Sequence, residues 1–369
     1  MQYTFVSADD HLDLNYTPAD LWQQRLPVRY RDIGPKVVER PEGRMWMWEG
    51  EPRGLSGRRR GRLTVGALER AGVPDEPEPG VFRPSSPTYR LQDMDHDGVD
   101  AHVIYGPDAV LALAFKDPEL KAVCLQAYNA WLAEEFCAAA PERIIGLAFL
   151  PVHDPQAATA ELYRVAELGL RGAVFNVWDC AKPVYDATWE PLWAAAHETG
   201  LPISYHIGGR GGMLRPDAHP TEIAAVVSTL PMALGRPVAE TIFSGVFERH
   251  PNLTMVVAEA GLGWVAYLLD RMDREYEDKG MSRTLTLSAK PSEIFRQHMY
   301  ISFQEEAEGG LQRMPELGVD NVIWASDYPH PDSCWPHSRA FVDTHLGLLG
   351  EEVKRKVTCD NAVRLYRLA

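Results

Sequence analysis

Leu253-Thr254-Met255-Val256-Val257-Ala258-Glu259 is a short uncharged run that stops at a carboxylate. A strand with one wet face alternates apolar and polar residues, whereas a strand covered on both faces reads as a continuous apolar run. The same signature recurs at Tyr3–Ala8, Ala101–Tyr105, Ile144–Leu150, Gly172–Val177, Pro202–His206, Met299–Phe303 and Asn321–Ser326, which makes eight runs with Leu253–Ala258. Helical patterns fall between them, among them Pro118–Ala140, Gln156–Leu168, Thr188–Thr199 and Gly263–Asp278. Eight covered strands alternating with helices predict an α/β fold, a (β/α)8 TIM barrel. The rival, a doubly wound open sheet, is weakened because no GxGxxG follows the first run.

One stretch breaks the alternation. Residues 25–90 are rich in Pro, Gly and Arg, including Arg58-Arg59-Arg60, and are too long for a plain loop. They predict an inserted cap over the barrel mouth, with the arginine triplet a solvated surface run. The 369 residues then form a single barrel domain, 1–369, with an insertion at about 25–90. Lys plus Arg total 37 against 52 for Asp plus Glu, a net charge of −15, which argues against binding nucleic acid through phosphates. No run approaches the roughly 18 apolar residues of a membrane span. The start Met1-Gln2-Tyr3-Thr4-Phe5 has neither the basic residues nor the apolar run of a signal peptide, so a cytoplasmic protein is expected. Five scattered cysteines without a CxxC pair read as reduced thiols.

In a parallel barrel the chemistry sits at the C-terminal ends of the strands. The first run leads into Asp9-Asp10-His11, where Asp9 and His11 share a face because side chains alternate along an extended chain. The fifth run ends in His206, the sixth in Glu259 and the eighth in Asp327. Each has a structural alternative: a helix cap or turn for Asp327, a core histidine for His206, an ion pair with Arg271 or Arg274 for Glu259. Together they place imidazoles and carboxylates around one centre, the donor set of a divalent zinc, manganese or iron ion.

The chain resembles the amidohydrolase-related family (the second amidohydrolase family), which includes aminocarboxymuconate-semialdehyde decarboxylase, resorcylate-type decarboxylases and some C–C hydrolases. The resemblance rests on Ser7-Ala8-Asp9-Asp10-His11, Leu91-Gln92-Asp93-Met94-Asp95 before Gly98-Val99-Asp100, and His206. It continues through Ser244–Pro251, Glu259-Ala260-Gly261-Leu262-Gly263-Trp264 and Ser326-Asp327-Tyr328-Pro329-His330. It implies a metal held by Asp9, His11, His206 and Asp327. Two departures stand out. Many members carry His or Glu where Asp9 stands, and many decarboxylases have a catalytic His-Gly-Gly where this chain has Glu259-Ala260-Gly261.

Two mechanisms follow. In the first, a hydrolase or decarboxylase of a small carboxylated substrate, one metal activates water or polarises the substrate. Asp327 or Glu259 then acts as base, and His330 as acid or electrophile. Arg210, in a glycine-rich turn, is the candidate clamp for a substrate carboxylate. Asn176, Gln304 and His337 are further candidate substrate contacts at the rim. In the second mechanism all of Asp9, His11, His206, Glu259, Asp327 and His330 serve as ligands. That surplus suits two metals, and the resemblance extends to dinuclear nonheme iron or iron–manganese monooxygenases. A catalytically silent binding protein is the third possibility. The apolar helical stretch Glu222–Leu234 points to a homodimer. His102 and His250 read as structural, and His153 as a rim residue. Trp46, Trp48, Trp178 and Trp335 read as an aromatic wall or as cap packing.

Overall fold

The computed structural model describes residues 1–57, 66–107, 115–208 and 218–368. Arg58-Arg59-Arg60 and Arg210 lie outside the described residues.

Eight parallel strands form one sheet in the order β1 (Val6–His11), β5 (Ala101–Tyr105), β6 (Ile144–Phe149), β7 (Gly172–Val174), β8 (Ile203–His206), β9 (Met255–Ala258), β10 (Met299–Phe303) and β11 (Val322–Trp324). The segment after β11 returns to β1. Ser326 N donates to Ser7 Oγ at 2.7 Å, Asp327 N to the Asp9 carbonyl at 3.0 Å, and His11 N to the Tyr328 carbonyl at 2.7 Å. These bonds close the (β/α)8 barrel. Its strands are buried on both faces, which is why they read as continuous apolar runs.

The first strand differs from expectation. It runs over Val6–His11 rather than Tyr3–Ala8, so Asp9 and His11 lie inside the strand. Thr4 N and Phe5 N, at its entrance, donate to the Asp100 carboxylate at 2.6 and 2.9 Å instead of joining a ladder. Two acidic residues disguise the end of the strand because Asp has low β-propensity. Their burial is tolerated because each carboxylate faces partners, shown below.

Helices cover the outside of the barrel. Pro118–Trp131 continues through a wide turn at Leu132–Phe136, and Pro155–Glu167 is capped by Asp154, whose side chain accepts from Gln156 N and Ala157 N. Helix and strand meet closely at Gly146 on β6. A Cβ there would lie 2.7 Å from Cys137 Sγ and 2.8 Å from Leu170 Cδ2. Gly146→Ala is therefore expected to lower stability by about 1–3 kcal/mol through overpacking. An unchanged denaturant midpoint would show that these neighbours yield freely.

Within 25–90, β2 (Lys36–Arg40), β3 (Gly43–Trp48) and β4 (Glu51–Leu55) form a separate antiparallel sheet. Trp46 packs edge-on against Trp22 at 5.2 Å, and Trp48 stacks on Phe115 at 5.2 Å. Gly57 N donates to the Asn15 carbonyl at 2.6 Å, tying the sheet to the loop that follows β1. Trp46 and Trp48 are thus buried packing residues. Among the described residues, no helix is long and apolar enough to cross a membrane.

Candidate metal centre

Five side chains converge at the C-terminal end of the barrel. Asp9 and His11 project inward from β1, His206 ends β8, Glu259 follows β9, and Asp327 follows β11. His11 Nε2 lies 3.4 Å from Asp9 Oδ1, 3.1 Å from Asp327 Oδ1 and 3.9 Å from Glu259 Oε2. His206 Nε2 lies 3.4 Å from the same Asp9 oxygen and 3.2 Å from Glu259 Oε2. Glu259 therefore joins the imidazoles, while Arg271 pairs with Glu275.

Local backbone supports this convergence. Glu259 and Asp327 have φ of 53° and 58°, a left-handed conformation that non-glycine residues seldom adopt. Glu259 N donates to Ser302 Oγ at 2.7 Å, and that hydroxyl donates to Asp9 Oδ2 at 3.2 Å. His206 Nδ1 contacts the Ile207 carbonyl at 2.7 Å, which makes Nδ1 the protonated nitrogen of the neutral ring and leaves Nε2 a free lone pair facing the centre.

The donor set fits a divalent ion. Asp9 Oδ1, His11 Nε2, His206 Nε2 and both Asp327 carboxylate oxygens are buried without a hydrogen-bond partner. Native proteins rarely leave such atoms unsatisfied. Donors about 2.0–2.2 Å from a shared ion lie about 3–3.5 Å from one another, close to the spacings here. Bound there, a divalent ion would be held by Asp9, His11, His206 and Asp327, with the Glu259 carboxyl beside them.

Electrostatics point the same way. Burial opposes ionisation of Asp9, but His206 and His11 outweigh it and hold the carboxyl below its usual range. Burial likewise opposes Asp327, and His330 and His11 outweigh it. Burial and then Asp327 push Glu259 well above the usual range, against the pull of the imidazoles. Burial would lower His206, but Asp9 and Glu259 raise it to about 9. Glu259 and His206 are thus both shifted toward their protonated forms, as expected where negative charge crowds one spot without a cation to balance it.

His330 stacks on His11 at 4.0 Å between centroids. Its Nδ1 is 3.0 Å from Asp327 Oδ1 and its Nε2 is 3.2 Å from Asp13 Oδ1. Asp13, Asp332 and Ser302 are site residues that the sequence reading missed. Asp13 carried a usable signal, because Asp9, His11 and Asp13 continue a two-residue spacing. Asp332 groups with Asp327 and His330. Ser302 carried no signal, since its role needs the register of β10.

The remaining candidates scatter. Asn176 is buried after β7, where its Oδ1 accepts from Trp178 N at 2.9 Å. Gln304 follows β10, and its Nε2 is buried without a partner, as is Trp178 Nε1. His337 lines a different pocket, of about 330 Å³, with Arg70, Val73, His96 and Trp335. His102 is buried inside β5, His250 pairs with Glu190 at 2.7 Å, and His153 contacts the Pro118 carbonyl at 2.9 Å.

Comparison with known proteins finds relatives in sequence and in fold. The family model described as Amidohydrolase matches residues 77–368. The gamma-resorcylate decarboxylase of Rhizobium sp. (strain MTP-10005) is 25% identical over 303 residues, covering 76% of this chain and 86% of that protein. An amidohydrolase structure from Mycobacterium avium subsp. paratuberculosis K-10 superposes with a TM-score of 0.77 at 21% identity, covering 99% of this chain and 100% of the other. A 5-carboxyvanillate decarboxylase from Novosphingobium aromaticivorans DSM 12444 contains manganese and 3-methoxy-4-hydroxy-5-nitrobenzoic acid. It superposes with a TM-score of 0.70 at 18% identity, covering 99% of this chain and 97% of the other. The two structural likenesses show the fold.

Proposed function

The chain belongs to the amidohydrolase family, and from that premise we propose that it is a metal-dependent carboxy-lyase acting on a small carboxylated aromatic or unsaturated acid. The observation that carries the reading is the set of partnerless buried donors on Asp9, His11, His206 and Asp327 at one barrel mouth. The decarboxylase relative supports the reaction class, and the manganese in a structural neighbour supports manganese over zinc or iron. When bound, the ion would act as a Lewis acid on substrate oxygens or on water.

Loss of CO2 leaves an electron pair on carbon, which must take a proton. Glu259 stands where many family decarboxylases carry a histidine, and in the metal-free site burial and then Asp327 push its carboxyl well above the usual range. It is the proton donor in this reading. His330, held between Asp327 and Asp13, is the second acid within the site. In hydrolysis, the retained alternative within the same class, Asp327 would take the proton of water as general base. Gln304 Nε2 and Trp178 Nε1 are N–H donors without partners near the strand ends, suited to substrate oxygens.

The test is CO2 release by manganese-loaded protein from a panel of hydroxylated benzoic acids. Release that stops on chelation is the expected result, and no release from any of them would remove the carboxy-lyase reading. A second reading, oxygen activation at two metals, is favoured by the surplus donors: Asp13 with His11 and His330, and His330 and Asp332 with Asp327. O2 uptake coupled to product, with two metals per chain, would select it.

We also infer a homodimer. Helix Pro220–Thr229 has no buried residue although it carries Ile223, Val226 and Val227, and Val227 and Met232 are 62% and 49% exposed. These side chains, left to solvent in one stretch of chain, are the surface offered for the contact. Light scattering is expected to give twice the chain mass for the wild type and the single mass for Val227→Asp. A monomeric wild type would dismiss the interface.

A further inference from the structure

Asp10 sits between two candidate ligands but faces away from them, because alternate residues of a strand point to opposite sides. Behind the centre it enters a wholly buried polar group. Asp10 Oδ1 accepts from Ser326 Oγ at 2.7 Å and from Tyr328 N at 3.1 Å. Arg90, on the helix Pro87–Asp97, is fully buried. Its Nη1 donates to the His11 carbonyl at 3.0 Å and to the Pro84 carbonyl at 3.3 Å, and its Nε donates to His102 Nδ1 at 3.1 Å. The guanidinium lies 4.6 Å over the Tyr328 ring. Tyr328 Oη in turn donates to Asp93 Oδ2 at 2.5 Å, whose other oxygen accepts from Arg83 at 2.6 Å.

Two struts of this group end on the backbone beside a ligand. Arg90 grips the carbonyl of His11. Asp10 grips the amide of Tyr328, the residue that follows Asp327. Tyr328 is anchored at its far end by Asp93. Asp327 is held at φ 58°, and strained positions of this kind persist only where their surroundings over-determine them. A buried arginine is costly, and a planar fork that spans a carbonyl and an imidazole while stacking on a ring is a task lysine cannot perform.

We propose that Arg90 and Tyr328 are positioning residues that form a latch between β1 and the segment after β11, setting the affinity of the centre by fixing His11 and Asp327. The proposal rests on the reading of that centre as a metal site. Groups that orient metal ligands from behind typically change affinity by about 10–100-fold when lost.

The experiment measures Mn(II) dissociation constants and metal-free melting temperatures for the wild type, Tyr328→Phe, Arg90→Lys and Tyr3→Phe. Tyr3→Phe is the control: it removes a similar phenol bond, to the Glu142 carbonyl at 2.7 Å, just ahead of β1 and away from the ligands. Tyr328→Phe and Arg90→Lys are expected to bind Mn(II) about tenfold or more weakly, with Tyr3→Phe matching the wild type. If Arg90→Lys does not fold, Tyr328→Phe decides. Wild-type affinity in Tyr328→Phe, or an equal loss in Tyr3→Phe, overturns the latch. A wild type that binds no Mn(II) overturns the metal centre itself and the latch with it.

Discussion

Asp327→Asn is expected to abolish turnover, with a loss of about a thousand-fold or more, while the protein still folds. The carboxylate is wholly buried, 3.1 Å from His11 Nε2 and 3.0 Å from His330 Nδ1. It touches both the proposed ligand set and the proposed second acid. The amide has the same shape, and Asn is among the few residues that accept a left-handed backbone, so φ of 58° is no obstacle. Asp327→Ala would confuse the result by adding backbone strain and a cavity. Steady-state rates, a cooperative melting transition and metal content together decide the matter. Activity within tenfold of the wild type in a folded Asp327→Asn protein would move the chemistry elsewhere.

Stripping the divalent ion should cost both activity and stability, and the size of the effect should depend on pH. An ion at about a thousand times its dissociation constant stabilises the folded state by about 4 kcal/mol, enough for a clear drop in melting temperature after chelation. His206 is raised to about 9 in the metal-free site, so at neutral pH it carries a proton that the ion must displace. Each displaced proton weakens binding about tenfold for every pH unit below that value. Affinity should therefore rise from about pH 6 to pH 8. Asp9 and Asp327 do not oppose this trend, because their acidities are shifted below the usual range and they are ionised throughout. Titration calorimetry in buffers of different ionisation enthalpy should find at least one proton released per ion at about pH 7. Affinity independent of pH, with no proton release, would show that the imidazoles are not ligands.

The residues differ in how visible they were before folding. His206, Glu259 and Asp327 were legible because each interrupts an apolar run, and in a parallel barrel such interruptions gather at one rim. Asp9 and His11 were legible from their spacing, although Asp9 and Asp10 hid the true end of β1. Asp13 followed the same spacing and was overlooked because it lies past the strand, ahead of the short turn Leu14–Tyr16. His337 was read by its nearness in sequence to the eighth strand, yet the chain turns and places it beside Arg70, His96 and Trp335. Trp46 and Trp48 allowed two readings, an aromatic wall or cap packing, and contacts with Trp22 and Phe115 select packing.

The sequence by itself determined the barrel and the strand-end donors, because hydrophobic periodicity and abrupt polar stops are local properties of the chain. Only the tertiary structure decided which of those donors meet and what stands behind them. Ser302 bridges Glu259 and Asp9 from another strand, His330 is clasped by Asp13, and Arg90 reaches His11 across seventy-nine positions of chain. Such contacts depend on register, closure and helix placement, and no local pattern encodes a hydrogen bond between residues so far apart.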